Sequence, residues 1–138
     1  MSGIVMTKKM LSYIEENLEK DLTLESLAEY MNYSKFYMER VFKENTGVTL
    51  CKYIQGRRLE AAARKLAETK QPVVEIAFEA GYGSQQAFTR AFRYEYRCTP
   101  QEYRRIGIFV PKHERIFMCM GRRSSKLLFG YRGGRAAA

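Results

Sequence analysis

Residues 76–105 read IAFEAGYGSQQAFTRAFRYEYRCTPQEYRR, and within them one helical pattern stops and another begins. Gly81 and Gly83 interrupt the apolar residues, and the hydroxyl of Ser84 can accept a free backbone N–H from the first turn of a following helix. After this serine, apolar residues recur at positions i, i+3 and i+4, namely Phe88, Ala91 and Phe92. The spacing predicts an amphipathic helix with one buried face, joined to the preceding helix by a tight turn.

A related pattern occurs in the first half of the chain. Tyr33 corresponds to Tyr82 at an offset of 49 residues, and residues 40–43, RVFK, correspond to residues 90–93, RAFR, at an offset of 50. Self-similarity at a fixed period indicates a repeated supersecondary unit. The sequence therefore predicts one helix-turn-helix unit that is present twice.

Helical periodicity extends through residues 6–105 and predicts an all-α fold with seven helices. Their expected spans are, in order, about 7–19, 24–31, 35–44, 49–69, 73–80, 84–95 and a short helix from Pro100. Two helix-turn-helix subdomains joined by a long linker helix result from this order. Within one domain at 1–105, the first subdomain takes 1–48, the linker helix 49–69 and the second subdomain 72–105.

Composition excludes several classes of protein. The chain has 138 residues, which suits one compact domain or two small lobes. No apolar run approaches the ~18 residues of a membrane span, and no signal segment precedes the first helix, so we expect a cytoplasmic protein with no membrane partner. The three cysteines, Cys51, Cys98 and Cys119, are not spaced as zinc ligands or disulfides, and His113 is the only histidine. We therefore expect no enzyme activity, no metal, no cofactor and no small-molecule pocket.

The net charge of +9 lies mainly near the C-terminus. Residues 106–138 hold seven Lys/Arg and one Asp/Glu, whereas residues 1–105 hold 17 and 14. This basic tail contains two short β-prone apolar runs around Pro111 and then a sequence typical of a flexible segment. It is either a disordered arm attracted to phosphate, the remnant of a longer domain or, at the final alanines, a cloning remnant.

The third and sixth predicted helices present polar faces opposite their apolar ones. The residues on these faces are Lys35, Phe36, Glu39, Arg40 and Lys43 in the first copy, and Gln85, Gln86, Thr89, Arg90 and Arg93 in the second. A glutamine amide matches the N6 and N7 edge of adenine, and an arginine matches O6 and N7 of guanine in the major groove. The faces therefore predict two DNA-recognition helices.

Roles can be divided among these residues by position. We expect base contacts from Phe36, Glu39, Arg40, Gln85, Gln86, Thr89 and Arg90, and phosphate contacts from Lys35, Lys43 and Arg93. Two of the base readers have ordinary alternatives. Exposed packing or partial burial explains Phe36 as well as a contact with a thymine methyl does, and Glu39 fits a solvated surface position better than cytosine readout.

The chain resembles the DNA-binding domain of the AraC/XylS family of bacterial transcription regulators, in particular its stand-alone MarA/SoxS/Rob-like group. The resemblance rests on residues 76–105 and on residues 22–62, LTLESLAEYMNYSKFYMERVFKENTGVTLCKYIQGRRLEAA. It implies a seven-helix monomer that binds an asymmetric site of roughly two turns near a promoter, with RNA polymerase as partner. By motif match it assigns base reading to the same seven residues. Phe36 and Glu39 stand where close relatives usually have tryptophan and glutamine, so the first half-site's preference does not carry over.

The expected function is that of a sequence-specific regulator of transcription, an activator that binds double-stranded DNA. A linker helix of 21 residues at ~1.5 Å each spans about 31 Å, close to the ~34 Å between major-groove segments on one DNA face. Two alternatives use the same residues differently. A protein-interaction module would dock a partner on the polar faces or the tail, and an enzyme would use a cysteine nucleophile, for which no general base lies close in the sequence.

Overall fold

The computed structural model describes residues 2–117, which contain seven α-helices and no strand. The all-α prediction is therefore confirmed for this part of the chain. None of these helices is both long enough and apolar enough to cross a membrane. In chain order the helices are α1 Gly3–Glu16, α2 Leu24–Met31, α3 Lys35–Thr46, α4 Leu50–Glu68, α5 Val73–Glu79, α6 Gln85–Tyr96 and α7 Pro100–Ile106.

Local side-chain caps determine where most of these helices begin. The Ser34 hydroxyl accepts the backbone N–H of Tyr37 at 3.1 Å, and the Ser84 hydroxyl accepts that of Ala87 at the same distance. Such caps satisfy N–H groups that have no partner inside the helix. The predicted cap at Ser84 is thereby confirmed, and Thr23 caps α2 in the same way.

Several predicted helix boundaries need correction. α1 begins at Gly3 instead of residue 7, because Ser2 caps it by accepting the N–H of Val5 at 3.2 Å. It ends at Glu16 instead of residue 19. The linker helix α4 is shorter by one residue at each end than predicted, because Thr49 and Thr69 are its caps.

The helices enclose two separate hydrophobic cores, and α4 belongs to both. The first core combines α1, α2 and α3 with residues from the start of α4, and the second combines α5, α6 and α7 with residues from its end. From α4, the first core takes Leu50, Tyr53 and Ile54, and the second takes Leu59, Ala62, Ala63 and Leu66. The structure thus contains two helical units built around one shared helix.

Residues 108–117 pack against both units and do not extend away from the fold as a free basic tail. Ile116 is 1% exposed within the first core, and its N–H donates to the Tyr53 hydroxyl at 3.1 Å. Nearer α7, the N–H of Val110 donates to the Tyr103 hydroxyl at 3.0 Å. Packing therefore continues beyond the predicted domain end at residue 105, and the β-prone runs form no strand up to residue 117. The remainder of the predicted tail, with Cys119, lies outside the described residues.

Candidate nucleic-acid interface

The aromatic residues on the inner face of α6 fix this helix to the second core. Phe88 and Phe92 are both completely buried. The Phe92 ring stacks on Tyr96 with centroids 4.4 Å apart and meets the Tyr103 ring edge-on at 5.3 Å. Ala91, the third member of the predicted apolar triad, is half-buried. The buried rings determine which side of α6 faces outward.

The outward side of α6 carries all five residues predicted to contact DNA from this helix. Thr89 is half-buried and the others are exposed. Together they line one open depression of about 470 Å³, whose residues are Gln85, Gln86, Thr89, Arg90 and Arg93. Within residues 2–117, their side chains take part in no hydrogen bond or ion pair. The amides and guanidinium groups of this face are therefore free to bind an external partner.

The outward side of α3 is different because its cations have carboxylate partners. Lys35 donates to Glu25 of α2 at 2.8 Å, and this hydrogen bond raises the pKa of the Lys35 ammonium group. Arg40 lies 3.6 Å from Glu44, and its guanidinium also lies over the Tyr37 ring at 5.4 Å. The positive charge of this face is thus partly compensated by the protein itself.

The remaining predicted residues of α3 lie at different depths. Phe36 is 77% exposed. Partial burial, one of the alternatives for this side chain, is therefore excluded. Lys43 is exposed, and Glu39 is half-buried near Lys35. The inner face of α3 is buried, with Met38, Val41 and Phe42 in the first core. The structure therefore brings the predicted residues of each helix together on one outward side.

Several charged side chains fix α4 to the first unit, and sequence reasoning did not predict their partners. Arg57 on α4 forms an ion pair with Glu15 on α1, with the Nη2 and Oε2 atoms 2.7 Å apart. The next residue, Arg58, donates to the backbone carbonyls of Leu18 and Leu22 at 3.1 and 3.2 Å. Helical spacing offered a signal, because Arg57 follows the apolar Tyr53 by four residues and so shares its side of α4.

Two further ion pairs join the units, and Lys65 of α4 makes both of them. Lys65 contacts Glu19, which follows α1, and also Glu79 at the end of α5. The first carboxylate belongs to the first unit and the second to the other. The ammonium group therefore bridges the two units.

The part of the chain that the structure describes holds few candidates for metal or nucleophile chemistry, and one of them, Cys51, is exposed. In residues 2–117 no group of three or more histidine, cysteine or acidic side chains could hold a metal ion. Cys98 is half-buried, and burial raises the pKa of its thiol, so burial disfavours the reactive thiolate. His113 lies 3.0 Å from a Glu95 oxygen, and burial lowers its pKa. The absence of a bound small molecule stays a prediction.

Comparison with known proteins identifies the family of this two-unit fold. Residues 27–106 match the family described as Helix-turn-helix domain. The regulatory protein SoxS of Salmonella typhimurium is 39% identical over 104 residues, which cover 75% of this chain and 97% of SoxS. The chain belongs to the AraC/XylS family of transcription regulators. Within this family it is also similar to the Tn10 TetD protein of Escherichia coli, which is 47% identical over 98 residues covering 71% of each chain.

Solved structures of AraC-type domains share the fold. The C-terminal domain of AraT, a response regulator from Geobacillus stearothermophilus, superposes with a TM-score of 0.70 and 33% identity, covering 79% of this chain and 90% of that domain. The DNA-binding domain of AdpA, solved in complex with a target DNA, superposes with a TM-score of 0.67 and 25% identity, covering 72% and 90%. The predicted family and its DNA-binding regulatory function are thereby confirmed.

Proposed function

We propose that this AraC/XylS-family regulator binds one asymmetric double-stranded DNA site as a monomer and activates transcription from it. In this arrangement α3 and α6 enter successive major-groove segments, each reading one half-site. The observation that carries the proposal is the outward face of α6, where two amides and two guanidinium groups lie exposed without partners. Exposed donors and acceptors of these types match base edges and phosphates.

The second half-site is read by α6. Gln85 and Gln86 lie in the first turn, the part of a recognition helix that contacts base edges. Arg90 lies one turn later and offers two donors to guanine, while the Thr89 hydroxyl serves a base or a phosphate. Arg93 lies beyond them and contacts the phosphate backbone. Each good bidentate pair adds ~1 to 3 kcal/mol of discrimination against a wrong base.

The first half-site is read by α3, with a smaller share of the specificity. Arg40 must exchange its Glu44 contact for a base edge, so part of the energy gained from the base offsets the lost ion pair. Phe36, exposed at the start of α3, packs on a thymine methyl, and Glu39 accepts from a cytosine amino group. Lys35 and Lys43 contact phosphate.

The length of α4 suits two readers on one side of a duplex. Its 19 residues at ~1.5 Å each span about 28 Å, against ~34 Å between successive major-groove segments. The proposed setting is the cytoplasm, with the DNA site near a promoter and RNA polymerase as the protein partner. Relatives described as regulatory proteins support this role.

The test is selection of bound fragments from random duplex DNA, with Gln86→Ala compared with Gln101→Ala. Both glutamines are exposed in the first turn of a helix, but Gln101 belongs to α7, outside the proposed interface. The unchanged protein should select two unlike half-sites about one helical turn apart. Gln86→Ala should lose the preference at one or two positions of one half-site, whereas Gln101→Ala should select the original site.

Other outcomes would contradict the proposal. A strict palindrome would indicate a dimer, and selection of no sequence at physiological salt would favour the protein-interaction module. If the two glutamine substitutions changed the selected sequence equally, base reading by α6 would be contradicted.

A further inference from the structure

The segment that follows α7, here called the strap and comprising residues 108–117, contacts both hydrophobic cores. Near its start, Phe109 packs against the second core, and the Arg64 guanidinium lies 4.4 Å from the centre of its ring. Near its end, Ile116 is buried in the first core. Ten residues of chain thus connect the two units by a route separate from α4.

The strap crosses α4 at Gly56, where the absence of a side chain permits close approach. A Cβ atom at this position would lie 2.8 Å from the Nδ1 atom of His113, which is closer than real Cβ contacts. The crossing is also hydrogen-bonded. The Oε1 atom of Glu60 accepts the N–H groups of Lys112 and His113 at 2.9 and 2.7 Å, and Arg57 donates to the His113 carbonyl at 2.7 Å.

The same part of the strap binds the end of α6. The Lys112 ammonium donates to the Glu95 carbonyl at 3.0 Å, and the His113 ring lies at the same distance from the Glu95 carboxylate. Glu95 is in the last turn of the helix whose first turn carries Gln85 and Gln86. The strap therefore links the second reading helix directly to the core that supports the first one.

We infer that the strap sets the orientation of α6 relative to α3, so that His113 and Ile116 are positioning residues for the spacing between half-sites. This inference rests on the proposed two-helix reading of DNA. A single shared helix can twist and bend, whereas a second connection between the units restricts those motions. Two units that keep one relative orientation bind best to DNA whose half-site spacing matches that orientation. Units that move more freely also bind DNA with neighbouring half-site spacings.

The first measurement tests the orientation without DNA. Spin labels at Glu44→Cys and Tyr94→Cys, in a chain whose native cysteines are serine, report the distance distribution between α3 and α6. Ile116→Asp places a carboxylate where the side chain is 1% exposed and should release the strap, which broadens the distribution. Ile108→Asp is the matched control, because Ile108 lies on the same strap but is 64% exposed.

The second measurement uses DNA with altered spacing. Affinity is compared for duplexes whose half-sites are separated by the selected spacing and by one base pair more or less. In Ile116→Asp, the ratio of the affinities for these duplexes should decrease roughly tenfold. The base preference within each half-site should stay the same. Ile108→Asp should discriminate as the unchanged protein does.

A second variant covers the case in which Ile116→Asp does not fold. Gly56→Ala adds a methyl group at the crossing point but favours the helical conformation of α4, so it displaces the strap without weakening the helix. It should broaden the distance distribution and reduce the spacing discrimination in the same way.

The outcomes separate this inference from the proposed function. Unchanged distances and unchanged spacing discrimination in a folded Ile116→Asp or Gly56→Ala chain would overturn the inference. Broadened distances in a chain whose unchanged form selects no DNA sequence would support the strap's positioning role and reject the proposed reading of DNA.

Discussion

Arg57 of α4 holds Glu15 of α1 through two bonds, Nη2 to Oε2 at 2.7 Å and Nε to Oε1 at 3.1 Å. The same guanidinium also contacts Glu60 and the carbonyl of His113. Burial by itself would lower the pKa of Arg57, but the hydrogen bonds and charges of its carboxylate partners raise it above its ordinary value. One side chain therefore connects α1, α4 and the strap.

We expect Glu15→Gln to destabilise the protein far more than Glu68→Gln. The Glu15 side chain is 22% exposed. Removing its charge leaves the buried Arg57 guanidinium without its main counter-charge, which should lower the free energy of unfolding by about 2 to 3 kcal/mol. Glu68 pairs with Arg64 where both side chains are more than half exposed, and its loss should cost under ~0.5 kcal/mol. Urea unfolding at constant pH measures both, and equal midpoints would contradict the expected role of the Arg57 cluster.

His113 should make the stability of the protein depend on pH near neutrality. Burial lowers the pKa of His113 in the folded state, although the nearby Glu95 carboxylate acts in the opposite direction. As pH falls through ~6.5, the unfolded chain then takes up a proton before the folded chain does. The free energy of unfolding is therefore highest above this pH, and it decreases from there towards the lower folded-state pKa.

The measurement is chemical unfolding at several pH values between about 7.5 and 5.5. In this window the acids with lowered pKa values, Glu25, Glu79 and Glu102, remain ionised in both states. His113 is the only histidine of the chain, so His113→Gln is a direct control that should flatten the profile. A profile that keeps its slope in this variant would assign the dependence to another group.

The features of the fold that the sequence predicts are those with local causes. A cap such as Ser84 acts on a residue three positions later, so both partners are visible in one short stretch. Arg57 and Glu15 are 42 residues apart, and Ile116 and Tyr53 are 63 apart. No periodicity connects such partners, which is why the strap was interpreted as a tail.

The same distinction applies to the candidate interface. Buried Phe88 and Phe92 determine the outward face of α6, and their helical spacing is visible in the sequence. The Arg40 and Glu44 pair is also local, since it joins positions i and i+4. The contact between Lys35 and Glu25 joins two helices, and only the packing of α2 beside α3 brings these residues together.

We expect Arg97→Gly to stabilise the protein by about 1 kcal/mol. Arg97 ends α6 with a φ of 63°, in the left-handed region that is unfavourable for a residue with a Cβ atom. The repeat shows the alternative, because Gly47 ends α3 at the equivalent position with a φ of 83°. Arg97→Ala removes the same charge but keeps the Cβ atom, so it should give no comparable gain. Thermal unfolding compares the two variants. Equal unfolding midpoints would mean that any change in stability comes from the lost charge alone.

Glu25→Gln should strengthen DNA binding, because Glu25 holds the ammonium group of Lys35, a proposed phosphate contact. Freeing that cation should raise affinity by roughly two- to fivefold, the range expected for an exposed ion pair. Phosphate contacts carry no sequence information, so specific and non-specific duplexes should gain equally. Glu29→Gln is the control, since Glu29 is an exposed residue of the same helix and its loss changes the net charge equally. Titrations at matched salt separate the two variants, and an equal gain in both would mean that Lys35 makes no phosphate contact.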